Sequence, residues 1–147
     1  MACRLADELD YVGVLAVELF VTGEDNQLLV NEIAPRPHNS GHHTLNACAA
    51  DQFQQQVRIM CALPPADTRL LSPCCMANIL GDVWPDSGEG EPNWLAVQEN
   101  ADAYLHLYGK KAARPGRKMG HFTQLADTAD AAYQTALQLH GRLKPQS

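Results

Sequence analysis

Two glutamates and the polar cluster that follows them carry the chemistry in this sequence. Glu18 and Glu32 sit in apolar, strand-like runs, VGVLAVELFV and QLLVNEIA, joined by the turn-rich GEDN. With the turn centred on Asp25, Glu18 falls opposite Glu32 and both point to one face of a hairpin. Two like charges ~5 Å apart destabilise a hairpin unless a cation sits between them. Magnesium suits such a pair, because it is hard and is commonly held by one or two carboxylates plus substrate phosphates. The plain alternative is two solvated glutamates on an exposed face, and the apolar flanks argue against it. Asn31, in strict alternation, points to the opposite face and joins the pair only through a bulge or register shift.

Directly after the second strand come Arg36, His38, Asn39, Ser40, His42 and His43. Arg36 offers a planar fork for a carboxylate or phosphate. His38, Asn39, Ser40 and His42 supply donors and acceptors for a heteroaromatic or sugar ligand, and Gly41 permits backbone geometry closed to other residues. HxxxH is a zinc spacing on a helix, but Pro37 and Gly41 oppose a helix here. The roles of His42 and His43 stay open. Far along the chain, Lys110, Lys111, Arg114, Arg117 and Lys118 place five of the eleven basic residues within nine positions. Such a run is commonly just solvated. Its Pro-Gly turn, however, would hold Lys110 and Arg117 in a definite geometry, and a lysine point charge plus an arginine fork neutralises a phosphate monoester.

The elements that position these groups follow from the rest of the chain. Its 147 residues, 46% hydrophobic, suffice for one ordinary domain or two small ones. No run approaches the ~18 apolar residues of a membrane span, and no signal-peptide pattern opens the chain. Five cysteines without CxxC spacing point to free thiols in a reducing, cytoplasmic setting. The formal net charge of −6 argues against general nucleic-acid binding, while the local cationic patch suits a small anion.

Residues 2–9 read as the end of a helix, and 11–22 and 27–34 as paired strands around a Gly23–Asn26 turn. Pro35 and Pro37 stop the second strand, since proline cannot donate to a ladder. Asp51 with Gln54 forms a capping box for a helix over 52–62, with Phe53, Val57 and Met60 on one face. LPPADTRL is a linker, CCMANILGD a strand and VWPDSGEGEP an irregular loop. A short helix over 93–101 precedes the strand AYLHLYGK, the turn KKAARPG and the strand KMGHFTQLA. An Ala-rich helix, Thr128 to Leu143, closes the chain with Ala132, Ala136 and Leu139 spaced for packing.

GVLAVELFV, NEIAPRPHNSGHHT, DQFQQQVR, MANILGD and RPGRKMGH, in that order, resemble the ATP-grasp superfamily. More narrowly they resemble the N5-carboxyaminoimidazole ribonucleotide synthetases, the ATPase-subunit type of phosphoribosylaminoimidazole carboxylase. The likeness runs over essentially the whole chain but only the C-terminal portion of such an enzyme. It implies an α+β fold: the C-terminal part of an ATP-grasp domain (antiparallel sheet plus helices) over residues 1–62, then a small β-rich domain with a terminal helix over 63–147.

The chemistry the resemblance implies is that of a carbon–nitrogen ligase in purine synthesis. ATP activates bicarbonate as carboxyphosphate, and the amine of aminoimidazole ribonucleotide receives the carboxyl group. Glu18 and Glu32 would then hold Mg2+, with Asn31 and Glu32 at the ATP phosphates. Arg36 would face the carboxyphosphate, His38 and Asn39 the imidazole substrate, and Lys110 and Arg117 the ribonucleotide phosphate. No nucleic-acid or membrane partner is implied, and a homodimer of the full-length enzyme is compatible. Two departures stand out: Ala34 where many ATP-grasp enzymes carry Asn, and His43 where an aromatic residue is expected. With no glycine-rich phosphate loop before residue 11 and no lysine before Lys110, the chain reads as a fragment that is inactive alone. The alternatives are an ATP-grasp remnant serving as a binding module, or a fragment of a formate-dependent glycinamide ribonucleotide transformylase, which has a similar PRPH element.

Overall fold

The computed structural model describes residues 1–23, 25–85 and 90–145, which form two compact units, Met1–Arg69 and Leu70–Ser147. Glu24 of the expected Gly23–Asn26 turn and residues 86–89 of the expected loop lie outside the described residues.

The first unit opens with helix α1 (Ala2–Glu8) and is built around an antiparallel hairpin, β1 (Ala16–Thr22) and β2 (Gln27–Ala34). Strand β1 is shorter than the expected 11–22. Residues just before it make other hydrogen bonds: the Tyr11 hydroxyl donates to Val14 O (3.1 Å), and Val14 N–H donates to Gln56 Oε1 (3.0 Å). Beyond Pro35 the chain makes a 3-10 turn, Asn39–Gly41, then the short α2 (Thr44–Ala47) and α3 (Gln52–Met60). Asp51 caps α3, its Oδ1 accepting from Phe53 N–H (2.7 Å) and Gln54 N–H (2.9 Å). The buried side chains of α3 are Gln52 and Gln55, while Phe53, Val57 and Met60 are exposed.

The units divide after Arg69 rather than after residue 62, for a local reason. Gln55 pairs with Ala66 in both directions, Nε2 donating to the carbonyl (2.8 Å) and Oε1 accepting from the amide (3.0 Å). Ala49 N–H donates to Arg69 O (2.9 Å). The Pro-rich stretch is therefore stitched to the first unit.

The second unit is a three-stranded antiparallel sheet, with β3 (Cys74–Leu80) and β4 (Ala103–Leu107) flanking the central β5 (Lys118–Leu125). Helix α4 (Leu95–Gln98) lies in the β3–β4 connection, and α5 (Ala129–Gly141) follows β5. Thr128 caps α5 by accepting from Ala131 N–H (3.1 Å). Side chains from one sheet face, Ile79 and Phe122, pack with Val83, Val97, Ala136, Leu139 and Leu143 into one core. Ala132, Ala136 and Leu139 are the buried residues of α5, as their spacing predicts.

Candidate functional site

Glu18 and Glu32 are cross-strand partners. The turn does not centre on Asp25 to achieve this: Thr22 pairs with Gln27 and Leu19 with Val30, so a regular ladder would set Glu18 opposite Asn31. A bulge between Glu18 and Leu19 shifts the register by one residue and brings Glu32 across from Glu18. That same bulge is the register shift Asn31 needs to join the pair. Its Nδ2 donates to Glu18 Oε2 at 3.2 Å, so Asn31 belongs to the carboxylate face.

His38 is the third member. Its ring is buried, and Nε2 stands 3.5 Å from Glu18 Oε1 and 3.6 Å from Glu32 Oε1. Ser40 N–H approaches His38 Nδ1 at 3.4 Å, with Ser40 Oγ at 3.0 Å from the same nitrogen. With Nδ1 accepting, the proton sits on Nε2 and faces the carboxylates. Arg36 is exposed, its Nη2 3.9 Å from Glu32 Oε1 and its Nη1 donating to Pro37 O (3.1 Å). Asn39 Oδ1 is buried and has no hydrogen-bond partner among the described residues.

The donor types suit a hard divalent cation: Glu18 and Glu32 each bring a carboxylate oxygen within 3.6 Å of His38 Nε2, with the Asn31 amide beside Glu18. Among the described residues no group of three or more His, Cys, Asp or Glu is arranged to hold a metal unaided. A cation at Glu18 and Glu32 would complete its shell from water and phosphate oxygens, the habit of magnesium rather than zinc. The remaining histidines have local duties. His42 Nδ1 lies 2.9 Å from Gln52 Nε2 and its ring stacks on Phe53 (5.7 Å), while His43 Nδ1 donates to Ser40 O (3.0 Å). Gln52 is a residue the sequence reading missed, because nothing in its spacing marks it beyond its place after the cap.

In the second unit the basic turn is held by backbone. Gly116 N–H donates to Asp82 Oδ2 (2.8 Å) and Gly81 N–H to Arg117 O (2.9 Å). Gly81 is required there, since a Cβ would lie 2.2 Å from Arg114 O. Arg117 Nη1 donates to Ala112 O (2.8 Å), and Lys110 Nζ donates to Lys118 O while sitting 5.4 Å from the Tyr108 ring centre. Both cations are thus fixed on the turn itself. Beside it lies a cluster the sequence did not suggest: His106 and His121 stack at 4.7 Å, and Tyr108 Oη is 2.9 Å from His121 Nδ1. Burial pushes the His106 ring below the usual imidazole range and the Tyr108 phenol above its own.

Comparison with known proteins matches this geometry to a family. Residues 1–53 match the ATP-grasp domain, and residues 74–135 match the phosphoribosylaminoimidazole carboxylase C-terminal domain. The N5-carboxyaminoimidazole ribonucleotide synthase of Bacillus subtilis is 50% identical over 130 residues, covering 88% of this chain and 32% of the relative. The chain belongs to the N5-carboxyaminoimidazole ribonucleotide synthetase family of ATP-grasp proteins.

Solved synthetases agree. That of Thermotoga maritima superposes with a TM-score of 0.84 at 41% identity, over 97% of this chain and 39% of that one. That of Aspergillus clavatus, solved in complex with ADP and 5-aminoimidazole ribonucleotide, gives a TM-score of 0.73 at 36% identity, over 90% and 35%. The chain therefore spans about a third of the length of the synthetases it matches. The α+β architecture expected of the family is the one observed. No helix among the described residues is long and apolar enough to cross a membrane.

Proposed function

We propose that this chain supplies the C-terminal portion of an ATP-dependent ligase that carboxylates aminoimidazole ribonucleotide with bicarbonate. ATP would phosphorylate bicarbonate to carboxyphosphate, releasing ADP, and the substrate amine would take the carboxyl group, releasing phosphate. The observation that carries the reading is the bulged hairpin, which sets Glu18, Glu32 and Asn31 on one face. Carboxylates so placed suit a magnesium–phosphate site, where the ion takes one or two of them and completes its shell from phosphate and water.

In this reading Glu18 and Glu32 hold Mg2+, and Asn31 and Glu32 meet the ATP phosphates. The ion, when bound, would draw charge from phosphate oxygens during transfer, as in other phosphoryl transfers. Arg36 offers its exposed fork to carboxyphosphate. His38 and Asn39 bind the imidazole substrate. Lys110 and Arg117 bind the ribonucleotide phosphate from a turn fixed by Asp82. The two units, Met1–Arg69 and Leu70–Ser147, act as the two functional parts, in a cytoplasmic enzyme whose full-length form is a homodimer.

The test is a graft. This sequence replaces the corresponding third of the Bacillus subtilis synthase, and phosphate release from ATP is followed with bicarbonate and aminoimidazole ribonucleotide. Release that depends on both substrates is expected from the graft, and none above background from the isolated 147-residue chain. A folded graft without turnover would overturn the assignment.

A further inference from the structure

His38 reaches the carboxylates from a loop, and a loop histidine holds one position only if its backbone is held. Gln52 does this. Its Oε1 accepts from His38 N–H at 2.8 Å, and its Nε2 donates back to His38 O at 2.9 Å. The second Nε2 hydrogen goes to His42 Nδ1 at 2.9 Å, so one amide fastens both ends of the 38–42 turn. Gln52 is buried, and its own backbone N–H donates to Thr44 Oγ1 at 3.1 Å. Gly41 is the necessary counterpart, because a Cβ there would lie 2.4 Å from Gln52 Oε1.

We propose that Gln52 is a positioning residue of the catalytic site, whose amide latches the 38–42 loop so that the His38 ring stands between Glu18 and Glu32. The inference rests on the reading of those glutamates as the cation pair. A glutamine at the first turn of a helix has no need of burial for the helix's sake. Its three bonds to a loop ten to fourteen residues away in sequence cost the side chain its freedom, and they recover that cost only by fixing the loop.

The experiment is NMR on the whole chain with Mn2+ alone as the probe. Substoichiometric Mn2+ is expected to broaden the Glu18 and Glu32 amides together with the His38 ring. In Gln52→Met the glutamate amides should still broaden while His38 ring broadening falls severalfold, because the ring leaves the pair. Gly41→Ala, which pushes on the amide from the loop side, should act the same way. Merely structural packing by Gln52 would lower the melting point and leave the His38-to-Glu32 broadening ratio unchanged, and that result would overturn the proposal. Should neither variant fold, the wild-type chain decides: the His38 amide and the Gln52 side-chain amide should exchange with solvent at one common, slow rate. Fast exchange at His38 would overturn the latch. Absence of any broadening at Glu18 and Glu32 would instead sink the cation reading, leaving the exchange result to judge the latch.

Discussion

The hairpin of the first unit and the sheet of the second are both antiparallel and both rich in apolar residues, yet they use those residues in opposite ways. Phe122 and Ile79 on the sheet are 0% exposed. Phe20 and Leu29, partners across the hairpin, are 58% and 51% exposed, and on the other face so are Val21 (65%) and Leu28 (49%). Three strands with a helix on one face meet the requirement for independent stability; two strands do not. The hairpin has the pattern of strands meant for burial on both faces. Stability is therefore divided unevenly: the sheet closes its own core, while the hairpin leaves apolar side chains exposed on both faces.

The comparison can be broken most decisively by hydrogen exchange. Amides of β5 should be protected by several orders of magnitude more than those of β1 and β2, because exposed, thinly packed elements open locally at low cost. Equal protection would show that the hairpin is stabilised by something other than its own contacts. Next in size are substitutions. Phe122→Ala should destabilise the second unit by ~3–5 kcal/mol, the usual cost of emptying a buried aromatic site. Phe20→Ala should change the first unit by no more than ~0.5 kcal/mol, the usual bound for a surface change. Urea unfolding read unit by unit checks both, and similar losses would erase the distinction.

The smallest expected effect concerns pH. His106 titrates lower in the folded chain than its ordinary value of 6.5. The unfolded chain therefore binds its proton first as pH falls. Folding is unpenalised well above 6.5, weakens as pH drops through the interval below it, and levels off beneath the folded value. The melting point of the second unit should follow that course, and His106→Gln should flatten it. An unchanged slope in the variant would assign the dependence elsewhere. Hairpin exchange rates should not share this dependence on His106.

Much of this was legible in the sequence. Periodicity and turn chemistry located β2, β3, β5 and α5 closely, because Pro35, the flanking turns and the Thr128 cap act within a few residues. The carboxylate pair was legible too, since two charges in apolar strands stand out. What failed was of longer range. Alternation shows that Asn31 needs a bulge to join Glu18 and Glu32 but cannot reveal whether one is present, and the structure supplies it. A glutamine tied to a backbone fourteen positions earlier leaves no local signal, so Gln52 was overlooked. Phe53, Val57 and Met60 show helical spacing but are exposed, because Gln52 and Gln55 take the inner face with hydrogen bonds instead of apolar contact.

The claim on which the functional account turns is that Glu18 and Glu32 work together on a cation at the ATP phosphates. Glu32→Gln in the active graft tests it most directly, since it keeps the shape and removes one charge. Phosphate release should fall by ~10²-fold or more, the scale on which a single stabilising group at a developing charge acts, while the variant keeps the wild-type melting curve. Near-normal turnover in that folded variant would contradict the account.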